Sequence, residues 1–387
     1  MPDLNSLSFE IGPIRPPSEA SSLLIRATRN CPWNRCEFCT TYKGQKFELR
    51  TVEEIRGDIQ TAEAISERIK SLTQKLGCEG GLKEVAATIY NNPYYNASAR
   101  SVALWLYFDS ESAFLQDANS LIMRTPDLLQ VITFLKETFP SLTRITSYGR
   151  SKTAAKKSAE ELKEIHDAGL SRLHIGLETG SDHLLSYIQK GVTAKEQIRG
   201  GRNIREAGIS LCEYVIPGLG GRRMSGEHVE QTARVLNEIE PDYIRLRSLH
   251  LREGMPLLKK LQQGEFELQT EDEVVEEIGV FIERLNSRSE LKSDHILNLL
   301  SEVEGNLPQD KEKILAVINR YLTLPPQEKL NFQLGRRAGI YERLDELHDL
   351  QKHEHVEQAI RRIEVRNEVR NPGGVSETIA ALKVGFI

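Results

Sequence analysis

The chain has 387 residues, 39% hydrophobic and 28% charged, with a net charge of −5, which is long enough for one large α/β domain with an appendage or for two domains. That charge gives no overall basic bias toward nucleic acid, no apolar run approaches the ~20 residues that span a bilayer, and five clustered, odd cysteines do not form a disulfide framework. Residues 1–20 carry neither a secretory nor an organellar leader pattern, so a reduced cytoplasmic setting without membrane attachment is expected.

A short apolar strand, Ser22–Arg26, leads into Asn30-Cys31-Pro32-Trp33-Asn34-Arg35-Cys36-Glu37-Phe38-Cys39. Thiolates spaced as C-x4-C-x2-C grip a soft centre, either zinc or an iron–sulfur cluster. No second C-x-x-C pair and no His-x(3–5)-His lies nearby, so a zinc staple needs a distant fourth ligand. A cubane cluster held by these three keeps one iron open for something other than protein.

Thr51 and Glu54 form a capping box for a helix to about Leu76, with Ile55, Ile59, Ala62, Ile65, Ile69 and Leu72 as its apolar stripe and Gly77 as its stop. Two shorter helical patterns fill 78–108. Strands then read at 113–120, 144–148, 173–178, 211–216 and 243–247, separated by helices at 126–137, 158–168, 194–207 and 227–239. Six strands alternating with helices predict a parallel sheet with right-handed crossovers, two units short of a complete barrel. Beyond Leu249 the rhythm changes. An amphipathic helix covers 270–285, and from Ser289 onward the pattern reads as wholly helical, with turns at 305–308, Pro325-Pro326 and Gly335. Ser293 to Asn298 reads as a helix start, or as polar groups that close the barrel's open side.

The cysteine loop resembles that of the radical SAM superfamily, with one extra residue in the first gap; Phe38 and Tyr42-Lys43-Gly44 add to the likeness. His174-Ile175-Gly176-Leu177-Glu178-Thr179-Gly180-Ser181, the Lys190-Gly191 turn and Pro217-Gly218-Leu219-Gly220-Gly221 are similar to the branch holding oxygen-independent coproporphyrinogen oxidases, methylthiotransferases and the elongator catalytic subunit. The resemblance implies an enzyme on a partial (β/α)6 TIM-like barrel over 21–288. An N-terminal extension (1–20), a helical insertion (78–108) and a helical C-terminal region (289–387) complete the expected domains.

It further implies a 4Fe-4S cluster on Cys31, Cys36 and Cys39, with S-adenosylmethionine (SAM) on the open iron. One electron, from a donor such as flavodoxin or ferredoxin, would cleave SAM and start hydrogen-atom abstraction from an unidentified substrate, a small molecule being favoured over RNA or protein. Glu178 would contact SAM's ribose or methionyl end, or else cap the next helix. Asp117 or Asn119 would accept the methionyl ammonium, in place of the family's glycines, or else form an ordinary turn. Arg150 would fork the SAM carboxylate. Gly218, Gly220 and Gly221 would let backbone approach the adenine. Tyr148 is the candidate catalytic side chain, or packs; Arg222 and Arg223 meet a substrate anion, or are solvated. Cys78 and Cys212 read as buried hydrophobes. The leftover cysteines are too few for a second four-iron cluster. The alternative is a non-catalytic, zinc- or cluster-stapled binding protein.

Overall fold

The structure is a computed structural model that describes residues 3–76, 80–370 and 374–384, so Gly77 and Cys78 lie outside the described residues. The chain divides into two compact units: 1–35, 39–176 and 195–212 form the first, and 36–38, 177–194 and 213–387 the second.

The first unit opens with β1 (Leu23–Arg26) and β2 (Thr28–Arg29), and the chain returns antiparallel along β3 (Glu48–Leu49), so residues 30–47 form a loop closed at its neck. Helices α1 (Val52–Leu76), α2 (Gly81–Asn91) and α3 (Ala97–Tyr107) follow, then β4 (Ser112–Gln116), α4 (Thr125–Thr138), β5 (Arg144–Gly149), α5 (Ser151–Ala154), α6 (Ala159–Ala168) and β6 (Leu170–Glu178). The β1–β4, β4–β5 and β5–β6 ladders are parallel. The predicted stripe of α1 is its core face: Ile55, Ile59, Ala62, Ile65 and Ile69 are fully buried. Burial of each isoleucine contributes about 1.5–3 kcal/mol. Glu54 accepts from the Thr51 N–H at 2.8 Å, closing the predicted capping box. The insertion packs on α1 and on the N-terminal segment, where Asn96 bonds Asn5 and Leu7 and Ser98 bonds Phe9.

Between the strands lie α7 (Asp182–Tyr187) and α8 (Ala194–Glu206), followed by β7 (Ser210–Val215). β6 and β7 each begin in the first unit and end in the second. The second unit continues with α9 (Gly221–Ile239), β8 (Tyr243–Leu246), α10 (Pro256–Gln262), α11 (Glu271–Arg284), β9 (Glu290–Lys292), β10 (Gly305–Asn306), α12 (Lys311–Leu322), α13 (Pro326–Arg337), α14 (Leu350–Arg370) and α15 (Gly374–Val384). The α/β class and the helical C-terminal region agree with the sequence reading.

Three details differ. The region after Ser289 is not wholly helical, because β9 pairs parallel with β8 and β10 antiparallel with β9. No helix starts at Ser293: its hydroxyl instead donates to Leu300 O at 2.8 Å in a turn. Gly335 lies inside α13 and is not a turn; a Cβ there would stand 2.3 Å from the Tyr341 ring, so the glycine serves a close helix–ring contact. Among the described residues no helix is long and apolar enough to cross a membrane.

Candidate active site

In the first unit, residues 30–35 and 39–47 of the cysteine loop are held by asparagines. Asn30 and Asn34 adopt positive φ (68° and 48°), a conformation asparagine tolerates. The Asn30 side chain donates to Lys46 O at 2.7 Å, that of Asn34 to Gln45 O at 3.2 Å and to Tyr42 O, and Lys43 Nζ donates to Asn34 O at 3.0 Å. The Asn34 N–H points at Cys31 Sγ, 3.4 Å away. Cys31, Cys36 and Cys39 are all half-buried and outside any disulfide. Among the described residues no three His, Cys, Asp or Glu side chains are gathered as a single metal ion requires.

Asp117, just past β4, is fully buried; its Oδ2 accepts from Arg26 Nη2 (2.6 Å), Arg26 Nε (3.1 Å) and the Asn30 N–H (2.9 Å). It therefore ties the strand end to the root of the cysteine loop. Its Oδ1 has no hydrogen-bond partner, and burial pushes the carboxyl above its ordinary range despite Arg26. Asn119 is engaged on both sides, accepting from the Arg150 N–H at 3.1 Å and donating to Thr153 Oγ1 at 2.9 Å. The Arg150 guanidinium stands 5.3 Å from the Trp33 ring centre, and Arg35 lies 5.2 Å from the same ring. Tyr148 packs edge-on against Phe114 (5.1 Å) and His174 (6.0 Å).

In the second unit Glu178 ends β6 at φ +64°, and its Oε1 accepts from Lys190 Nζ at 2.6 Å. Lys190 also lies 5.5 Å from the Phe38 ring centre. Thr179-Gly180-Ser181 then docks on α9: the Gly180 N–H donates to Thr232 Oγ1 at 2.9 Å and Ser181 Oγ to Glu227 at 2.5 Å. A Cβ at Gly180 would meet Gln231 O at 2.4 Å, so only glycine fits under this helix. The glycines after β7 serve similar contacts. The Gly218 N–H donates to Glu277 Oε1 at 2.7 Å, and a Cβ at Gly221 would meet Glu267 O at 2.5 Å. Arg222 pairs with Glu267 (2.7 Å) and Glu273 (2.9 Å) on the surface. Cys212 is fully buried, as expected of a packing residue.

Three features escaped the sequence reading. Glu213, in the middle of an apolar strand, is fully buried with both carboxylate oxygens unpartnered; burial first, and then the Glu178 charge, push its pKa well above the ordinary value against Lys190. A carboxylate inside Leu-Cys-Glu-Tyr-Val-Ile was the available signal. Glu37, between two of the cysteines, accepts from Gln189 Nε2 (2.7 Å) and stands 2.5 Å from Lys260 Nζ, an ion pair off the hydrogen-bond direction. Its backbone bonds Ile188 O and the Leu257 N–H, so residues 36–38 are pinned from two segments. In the first unit, buried Glu19 pairs with Arg144 (2.9 Å) and faces His174 Nε2 at 3.4 Å; burial opposes its ionisation, but His174, Arg144 and Ser22 outweigh it and hold its pKa below the ordinary value. No local pattern announces these last two.

Residues 120–236 match the model of the Radical SAM superfamily, a span that begins after the cysteine loop. The tRNA uridine(34) acetyltransferase of Methanocaldococcus jannaschii is 22% identical over 126 residues, covering 31% of this chain and 22% of that protein. Biotin synthase of Geobacillus thermodenitrificans is 29% identical over 98 residues, covering 25% of this chain and 28% of that protein. The chain thus spans under a third of the length of either relative. The solved coproporphyrinogen III oxidase of Escherichia coli superposes with a TM-score of 0.44 at 13% identity, over 68% of this chain and 52% of that one. The likeness to the radical SAM superfamily thus rests on the segment from Ser120 to Leu236.

Proposed function

We propose that this chain is a radical SAM enzyme with one 4Fe-4S cluster on Cys31, Cys36 and Cys39, one iron left open for SAM, and a small-molecule substrate. The observation that carries this reading is the loop itself: three thiols with no disulfide, directly after β2 and ahead of the matched segment. Soft thiolates suit an iron–sulfur cluster, and three of them leave one corner without a protein ligand. The cluster and SAM, when bound, supply a one-electron reductive cleavage that starts hydrogen-atom abstraction, the electron coming from a flavodoxin or ferredoxin.

The chain's own residues would bind and orient. Asp117 Oδ1 and the carboxyl group of Glu213 are buried without partners, the kind of group that an ammonium or hydroxyl satisfies. Asp117 is therefore favoured over Asn119, whose amide already bridges Arg150 and Thr153. Glu178 would hold SAM's ribose or methionyl end, with Lys190 fixing its carboxylate. Arg150 would meet the SAM carboxylate from above Trp33. Gly218, Gly220 and Gly221 would contribute backbone shape at the adenine. Tyr148 remains the candidate to touch substrate.

Anaerobic reconstitution tests the reading. About four irons per chain and dithionite-dependent release of 5′-deoxyadenosine from SAM are expected. Stoichiometric zinc with no cleavage would instead establish a stapled binding protein.

A further inference from the structure

The loop after β8 and the turn after β9 gather arginine and histidine side chains that no carboxylate among the described residues answers. Asn298 ties these segments together: its Nδ2 donates to Leu246 O at 2.9 Å, and its Oδ1 accepts from the Ser248 N–H and hydroxyl, each at 3.0 Å. On the joined segments stand Arg247, His250, Arg252 and His295, and among the described residues none of the four has an acidic partner at ion-pair distance. His250 Nε2, His295 Nδ1 and Arg252 Nε are buried without a hydrogen-bond partner. Arg247 is exposed, its guanidinium 5.7 Å from the Tyr214 ring centre.

Neighbouring arginine and lysine side chains are matched by carboxylates, which sets these four apart. Arg245 pairs with Asp294, while Arg337 (2.9 Å) and Lys383 both pair with Glu271. Among the described residues, the charged groups that act on the two imidazoles are Arg252, Lys383 and Arg337 on His250, and Arg247, Arg337 and His250 on His295. Burial first, and these cations second, push His295 down to about 4. Unmatched donors converging in a chain of net charge −5 call for an anion from outside.

We infer that Arg247, His250, Arg252 and His295 form a subsite for the phosphate or carboxylate group of a small-molecule substrate. This deepens the proposed function by naming a substrate class, and the site follows a strand's C-terminal end, where parallel β/α proteins keep their ligands. Guanidinium forks and imidazole N–H groups match the oxygens of such an anion. Partly buried ring nitrogens suit a compact anion better than a polynucleotide backbone, which is tracked by exposed lysine and arginine.

The test is a calorimetric titration of the full chain with inorganic phosphate and, separately, succinate, at constant ionic strength. Saturable binding of one of them is expected, and the tighter of the two identifies the group. Arg247→Gln and His295→Gln should each weaken it about tenfold, while Arg124→Gln, on an exposed surface pair, leaves it unchanged. Arg247 is exposed, so its variant should keep the wild-type melting temperature and separates lost binding from lost fold. No saturable binding of either anion, wild-type affinity in both variants, or binding of single-stranded RNA alone would overturn the assignment. The titration needs neither cluster nor SAM, so its failure is distinct from failure of the radical SAM reading.

Discussion

Among the described residues, Lys190 is the ammonium that acts on Glu178 and Glu213, and it pairs with Glu178 at 2.6 Å. Glu213 is left buried without a partner and keeps its proton well above its ordinary range. The folded state then binds more protons than the unfolded chain above the ordinary value of 4.5, so this group lowers stability as pH rises through and beyond that value. Glu213→Gln removes the titration. In urea melts from pH 5 to 9 the variant should gain on the wild type steadily as pH rises; parallel profiles would mean that Glu213 is ionised and paired. Glu178→Gln should keep its iron but lose SAM affinity, roughly tenfold at most, since a hydrogen bond to a neutral hydroxyl is worth only ~0.5–1.5 kcal/mol net. Equilibrium dialysis reads this directly, and unchanged affinity in a folded variant contradicts the assigned role. Glu178 was singled out because its neighbours form a motif. Glu213 was in plain view but reads as a strand residue until its lack of partners is known.

Elements whose signals are local were legible, and those fixed by distant contacts were not. The capping boxes at Thr51/Glu54 and Thr270/Glu273, and the Ser158 cap of α6, are closed within three residues, so sequence spacing locates these helix starts. β9 is three residues of no clear alternation and exists because β8 offers an edge. Gly335 looks like a stop until Tyr341 is placed against it. The glycines of α9 and its docked loop separate these two kinds of information. Gly180→Ala forces a Cβ into the Gln231 carbonyl and should destabilise the fold by about 1–3 kcal/mol. Gly226→Ala, inside α9 with open space around it, should be neutral or stabilise by up to about 1 kcal/mol. Thermal unfolding of the two variants checks the pair, and equal effects would show that α9 does not press on the loop.

At the scale of the whole chain, the helical region after Ser289 is built into the second unit and is not an appended module. β9 extends β8, buried Arg337 pairs with Glu271 on α11, and the buried Tyr321 hydroxyl donates to Asp272 at 2.6 Å. A chain cut after Asn286 should therefore be insoluble, because the apolar face of α11, with Val275, Ile278 and Ile282, would be uncovered. A soluble, cluster-loaded fragment would make the tail an independent unit. The proposed metal chemistry was read from nine residues, Cys31 to Cys39. What the sequence could not carry was the charge balance around β8, which depends on segments about fifty residues apart. The central claim is a single cluster with an open iron, and electron paramagnetic resonance of the dithionite-reduced, reconstituted protein addresses it most directly. One reduced-cluster signal that shifts when SAM is added, and is absent in Cys36→Ala but retained in Cys212→Ala, is the expected result. A signal indifferent to SAM, or one that survives the loss of Cys36, would contradict it.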